Sequence, residues 1–139
     1  MAGNRTLAII KPDAFGAGKT GKIIAHLEAQ GFRIICSRVL HMSRAEAGAF
    51  YEVHKGRPFY DELVEFMSSA PCMPLVLQKA DAVAAYRAAI GATDPAEAAE
   101  GTVRKLYAES KGRNAVHGSD SDENARIEGT FFFGAAALV

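Results

Sequence analysis

Thr6-Leu7-Ala8-Ile9-Ile10, cut off at once by Lys11-Pro12-Asp13, sets the architecture of this chain. A short, nearly continuous apolar run of this kind predicts a central strand. Pro12 holds Lys11 extended and ends the ladder, so the Lys11 ammonium is expected at the strand's end, open to a partner. Just downstream, Gly16 and Gly18-Lys19-Thr20 imitate a phosphate-binding loop. The full pattern needs glycine where Asp13 stands, and that carboxylate would repel a phosphate where backbone should cradle it, so the segment is not read as one.

Working outward, Ile23, Ile24 and Leu27 recur at helical spacing and Gly31 supplies a stop, which predicts a helix over Gly21 to Gln30 with His26 facing solvent. Phe32 to Met42, rich in branched apolar residues, reads as a second strand, with His41 near its end lacking a partner for chemistry. Ser43 and Glu46 form a capping box for a helix carrying Tyr51. His54-Lys55-Gly56-Arg57-Pro58-Phe59 is a turn with three basic side chains and a ring: a solvated loop, or a pocket for an anionic, stacked ligand. Phe59, Leu63, Phe66 and Met67 give a further helix one apolar face, and Ser68 to Pro71 ends it. Leu75-Val76-Leu77 is a third strand, with Pro74 as its first residue. Asp81 caps a helix on which Val83, Tyr86, Arg87 and Ile90 share a face; an arginine on a buried side requires an anionic partner. A loop from Gly91 to Gly101 leads to Thr102, which caps a segment bearing Arg104 and Tyr107. Asp120 with Glu123 caps a last short helix to about Glu128, and Thr130-Phe131-Phe132-Phe133 is expected as the fourth strand.

The order strand, helix, strand, helices, strand, helices, strand is an α+β layout, with helices on one face of a mainly antiparallel four-stranded sheet. The ferredoxin-like βαββαβ pattern is its nearest common form. At 139 residues without a linker or repeat, the chain is expected to be a single domain over 1–139. Sixteen basic residues balance sixteen acidic ones, so no global basic field drives nucleic-acid binding, and an anionic ligand must be held by a local cluster. Cys36 and Cys72 lie far apart in apolar surroundings without metal spacing, which reads as two buried thiols in a reducing compartment. The polar start Met1 to Thr6 is too short for a signal peptide, and no apolar stretch approaches the ~20 residues of a membrane span, so a cytoplasmic location without membrane contact is expected.

Arg113 to Ser121 (RNAVHGSDS) sets His117 before a turn-forming glycine and small polar residues, which places it on a loop. A largely neutral imidazole can serve as nucleophile, proton shuttle or metal ligand, and the local pattern fits an incidental surface histidine equally well.

Five separated motifs then stand in one order: Thr6 to Asp13 (TLAIIKPD), His54 to Phe59 (HKGRPF), Gly91 to Pro95 (GATDP), Gly101 to Arg104 (GTVR) and Asn114 to Ser121 (NAVHGSDS). Through them the chain resembles the nucleoside diphosphate kinase family over nearly its whole length. The resemblance implies a ferredoxin-like core and ping-pong transfer of a γ-phosphoryl group, mainly from ATP, to nucleoside diphosphates through a phosphohistidine. By position His117 would be the nucleophile and Glu128 the carboxylate on the ring nitrogen that does not attack. Lys11, Arg87, Thr93, Arg104 and Asn114 would contact phosphates and ribose, Tyr51 would lie close to His117 and Lys11, and Phe59 would stack on the base. Stacking serves every base alike, so broad base tolerance is implied. No carboxylate cluster resembles a metal cage; Mg²⁺ is expected to arrive on the nucleotide phosphates. The family forms homo-oligomers, and Glu100, standing where many members have proline, tilts the expectation to a tetramer over a hexamer or dimer. Ala70 to Pro74 departs from the family's usual valines, which bears on the start of the third strand. A nucleic-acid module, a phosphate-loop NTPase and a histidine phosphocarrier each leave part of this pattern unexplained.

Overall fold

The computed structural model describes residues 3–134; the first two residues of the polar start, and the chain end at Val139, lie outside them. Four strands, β1 (Arg5–Ile10), β2 (Arg33–Ser37), β3 (Met73–Gln78) and β4 (Val116–Gly118), form one sheet in the order β2-β3-β1-β4. All three pairings are antiparallel. The helices are α1 (Pro12–Gly16), α2 (Thr20–Ala29), α3 (Arg44–Phe50), α4 (Tyr60–Met67), α5 (Ala82–Ile90), α6 (Val103–Tyr107) and α7 (Asp122–Phe133). The fold is the α+β, ferredoxin-like one that the element order led us to expect.

β1 is the axis. Leu7, Ala8 and Ile9 are all 0 % exposed, because alternate residues enter different cores. Ala8 and Ile10 pack with Leu75, Leu77, Ile23 of α2 and Tyr86 of α5. Leu7 and Ile9 pack with Val76, Ala47 of α3, Met67 of α4 and Phe132 of α7. Helices therefore cover both faces of the sheet, not one. The continuous apolar run of Leu7 to Ile10 was the signal, since a strand wet on one side alternates.

Several local expectations are corrected. Thr130–Phe133 is the end of α7, and the fourth strand is β4, which carries His117 itself. The aromatic run has no breaker before Gly134, at φ 83, and Ala125, Gly129 and Phe132 recur on one buried helical face. That helix is capped by Ser121, whose side chain accepts from the Asn124 N–H, while Asp120 takes the Asn124 side-chain amide. The second strand stops at Ser37, and beyond it only Leu40 bridges to Cys72. Pro12, at the first helical position, opens the short α1 that sequence had left unassigned. Pro74 sits inside β3, opposite Ile9. Its carbonyl accepts the Arg38 N–H just past the end of β2, so its missing donor faces a place where that ladder has already ended. Asp81 precedes α5 in a left-handed conformation, φ 52, and makes no side-chain cap. His26 is half-buried and bonds Gln30 rather than facing solvent freely. Both cysteines are free; Cys72 is buried and Cys36 only half-buried. The Ser43/Glu46 capping box and the Thr102 cap stand as read. Among the described residues no helix is long and apolar enough to cross a membrane.

Candidate active site

His117 occupies the middle of a three-residue edge strand, opposite Ile9, not a loop. The residue before the strand explains the error. Ala115 has φ 74, and the Val116 N–H returns to the Asn114 carbonyl at 2.9 Å, a tight positive-φ turn that only an over-determined backbone sustains. The restraints come from distant segments. The Lys11 N–H donates to the Ala115 carbonyl, and the buried Asp13 carboxylate accepts the Ala115 N–H at 3.0 Å. Arg104 donates through Nε to the Asn114 carbonyl and through Nη2 to that of Val116, with Nη1 on Gly91.

On the ring, Nε2 lies 2.7 Å from Glu128 Oε1, and the Ser119 hydroxyl donates to the same oxygen at 2.8 Å. A carboxylate only accepts, so Nε2 carries the proton and Nδ1 is left as the basic nitrogen. The rings of Phe50 and Tyr51 stand edge-on to the imidazole at 5.4 and 6.1 Å. The carboxylate reaches His117 because α7 begins five residues beyond it and folds back along β1, the reversal a helix of this length required.

In front of the ring is a cleft of about 280 Å³ lined by Lys11, Tyr51, His54, Arg87, Thr93, Arg104 and Asn114 with His117. Lys11, Leu63, Thr93 and Asn114 also wall an adjoining hollow of about 620 Å³ that holds Phe59, Glu62 and Lys111. The expected residues thus converge, with Phe59 on the outer hollow at 45 % exposure and Glu128 behind the imidazole. One expectation fails: Arg87 is exposed on α5, whose buried line is Ala82, Tyr86, Ala89 and Ile90. It needs no buried anionic partner, because it reaches the cleft rim.

The electrostatics are cationic. Lys11 is 7 % exposed, donates to the Asn114 side-chain oxygen at 2.9 Å and lies over the Phe66 ring. Burial pulls its pKa down to about 8, partly opposed by Asp13 and reinforced by Arg104. Burial also lowers Arg104, whose three bonds all go to neutral carbonyls and leave its charge uncompensated. Tyr51 is pushed far up by burial, then by Glu128, so its phenol stays protonated. His54 has a buried Nδ1 with no hydrogen-bond partner among the described residues. Among the described residues no group of three or more His, Cys, Asp or Glu is placed to hold a metal ion. Asp13 accepts the Ala115 N–H through Oδ2, and Glu128 Oε1 is engaged by His117 and Ser119.

Asp13, Ser119 and Tyr86 were not found as site residues from sequence. Ser119, two residues beyond His117, lies just past a strand too short to show a period, so spacing alone did not single it out. Asp13 gave no signal, since its partner is a backbone N–H 102 residues away.

Comparison with known proteins places the geometry. A family model described as nucleoside diphosphate kinase matches residues 4–138. A nucleoside diphosphate kinase of Chlorobaculum parvum is 61 % identical over 97 % of this chain and 96 % of its own. One from Phenylobacterium zucineum is 60 % identical over 93 % of each chain. A crystal structure of the Aquifex aeolicus nucleoside diphosphate kinase superposes with a TM-score of 0.93 at 43 % identity, covering 98 % of this chain and 99 % of that one.

Proposed function

The chain belongs to the nucleoside diphosphate kinase family, and from that membership we propose that His117 Nδ1 carries the phosphoryl group between nucleotides. The enzyme is a phosphotransferase acting on nucleoside tri- and diphosphates. In the first half-reaction the Nδ1 lone pair attacks the γ-phosphorus of ATP, the bond to the β–γ bridging oxygen breaks, and the diphosphate leaves. In the second, a terminal β-phosphate oxygen of another nucleoside diphosphate attacks that phosphorus, the P–Nδ1 bond breaks, and the imidazole is restored. No proton has to move, because the ring attacks through a nitrogen that is already bare.

One observation supports this above the rest: Nε2 is committed to Glu128, while Nδ1 has no hydrogen-bond partner among the described residues. As Nδ1 bonds to phosphorus the ring gains positive charge, and the carboxylate at 2.7 Å stabilises it. Lys11, Arg87 and Arg104 face the transferring oxygens, whose spread charge is what fixed cations stabilise. Asn114 and Thr93 orient phosphate and ribose, Tyr51 packs the ring, and Phe59 stacks on the base. Stacking without edge reading gives broad base tolerance. Mg²⁺ comes held by the nucleotide phosphates and withdraws charge from them. We place the enzyme in the cytoplasm, in keeping with its free thiols, as a homo-oligomer with the tetramer ahead of hexamer or dimer.

The test is incubation with γ-labelled ATP and Mg²⁺ in the absence of acceptor. Acid-labile, alkali-stable label should reach one per chain, chase into GDP or CDP alike, and vanish in His117→Ala. Folded protein that takes no label would refute the mechanism.

A further inference from the structure

β4 is short, lies at the sheet edge and follows a positive-φ turn, so its ladder with β1 is a slight hold on a residue that must present one nitrogen accurately. A brace comes from below. The Tyr86 hydroxyl donates to the carbonyl of His117 itself at 3.1 Å. Tyr86 is 0 % exposed, and its ring meets Phe32 edge-on at 6.1 Å. Burial drives its phenol well above the ordinary tyrosine range, so it remains a donor. A Cβ built on Gly118 would come within 2.7 Å of Tyr86 Cε2 and 2.9 Å of Cδ2. Gly118 has no positive φ; closeness to the ring, not backbone conformation, is what requires glycine there. The next residue along α5, Arg87, lines the cleft. One rigid helix therefore touches the backbone of His117 with one side chain and the cleft with its neighbour.

We propose that Tyr86 is a positioning residue for phosphoryl transfer: its hydroxyl on the His117 carbonyl and its ring against Gly118 fix where the imidazole stands relative to Arg87 and Lys11. The inference rests on His117 being the phosphoryl acceptor. Tyr86 lines no part of the cleft, so it acts on the placement of the nucleophile and not on nucleotide affinity. Misplacement of a reacting atom by a fraction of an ångström is costly to rate while leaving ground-state binding intact.

The experiment is Tyr86→Phe, which keeps the ring and its Phe32 contact and removes only the donor. Rapid-quench labelling of His117 by ATP should slow about three- to tenfold, the range of one lost hydrogen bond, with the nucleotide concentration dependence unchanged. Gly118→Ala, which forces the ring aside and carries its hydroxyl off the His117 carbonyl, should slow labelling further. Wild-type labelling rates in both folded variants would overturn the proposal, as would a loss expressed only as weaker nucleotide binding, or lowered melting with an unchanged rate. If wild-type protein takes no label on His117 at all, the parent reading has failed and not this one.

Discussion

The segment at 16–20, with Gly16, Gly18, Lys19 and Thr20, and the segment at 113–118, with Arg113, Asn114, His117 and Gly118, offer similar residue types and differ in how they are held. A Cβ built on Gly16, Gly18 or Gly21 meets nothing within 4 Å, and Lys19 spends its ammonium on the Tyr107 carbonyl. At 114 to 117 four successive carbonyls accept from Arg104, Lys11, Arg104 again and Tyr86, drawn from three distant segments. The first run is held by bonds to its own flanking helices, Gly18 and Lys19 donating to the Phe15 and Ala14 carbonyls, and the second is fixed by segments far away in sequence. What marks a site for chemistry is the number of independent constraints on its backbone, which residue type alone does not display.

The comparison can be broken at its strongest restraint first. Asp13→Ala leaves the buried Ala115 N–H unpaired. It should cost about 1–3 kcal/mol in denaturant unfolding and, by releasing the turn before His117, on the order of 100-fold in transfer. An intermediate effect belongs to Lys11. Held near 8 by burial, its ammonium discharges in the free enzyme as pH rises through that value, so kcat/KM should then fall about tenfold per pH unit. Lys11→Arg should abolish the fall, since a guanidinium stays charged. The stability of the nucleotide-free protein moves the other way. Unfolded lysine keeps its proton to about 10.4, so above the folded pKa the unfolded state binds more protons and stability rises with pH in that window. The smallest effect is at the locally held segment 16–20. Lys19→Ala should cost roughly 1 kcal/mol of stability through the lost Tyr107 bond and leave transfer within about twofold. Strong loss of activity there would erase the contrast and revive a phosphate loop.

Sequence displayed the fold where one residue's local chemistry decides an element. The Leu7–Ile10 run, the Ser43/Glu46 box and the Thr102 cap all appear where they were read. It failed where tertiary context decides. Val116–Gly118 is too short to show a strand period, and its flanking turn uses alanine at φ 74, which no turn rule would select. Thr130–Phe133 looks like strand by composition, but it extends a helix already begun at Asp122. The spacing of Val83, Tyr86, Arg87 and Ile90 puts Arg87 on the buried side, but the buried line runs through Ala82, Tyr86, Ala89 and Ile90, and Arg87, about 100° round the helix from Tyr86, is exposed. The site list came almost wholly from family resemblance. Of the residues that hold the site in place, Asp13, Ser119 and Tyr86 act through backbone or through Glu128, contacts a motif does not encode.

The central claim is that the 113–119 segment presents one ring nitrogen and withholds the other. Nitrogen-15 and phosphorus-31 NMR of ¹⁵N-histidine-labelled protein, phosphorylated by ATP without acceptor, tests it most directly. Phosphorus coupled to His117 Nδ1, with Nε2 still protonated, is the predicted result. Phosphorus on Nε2, or on any other residue, would contradict it.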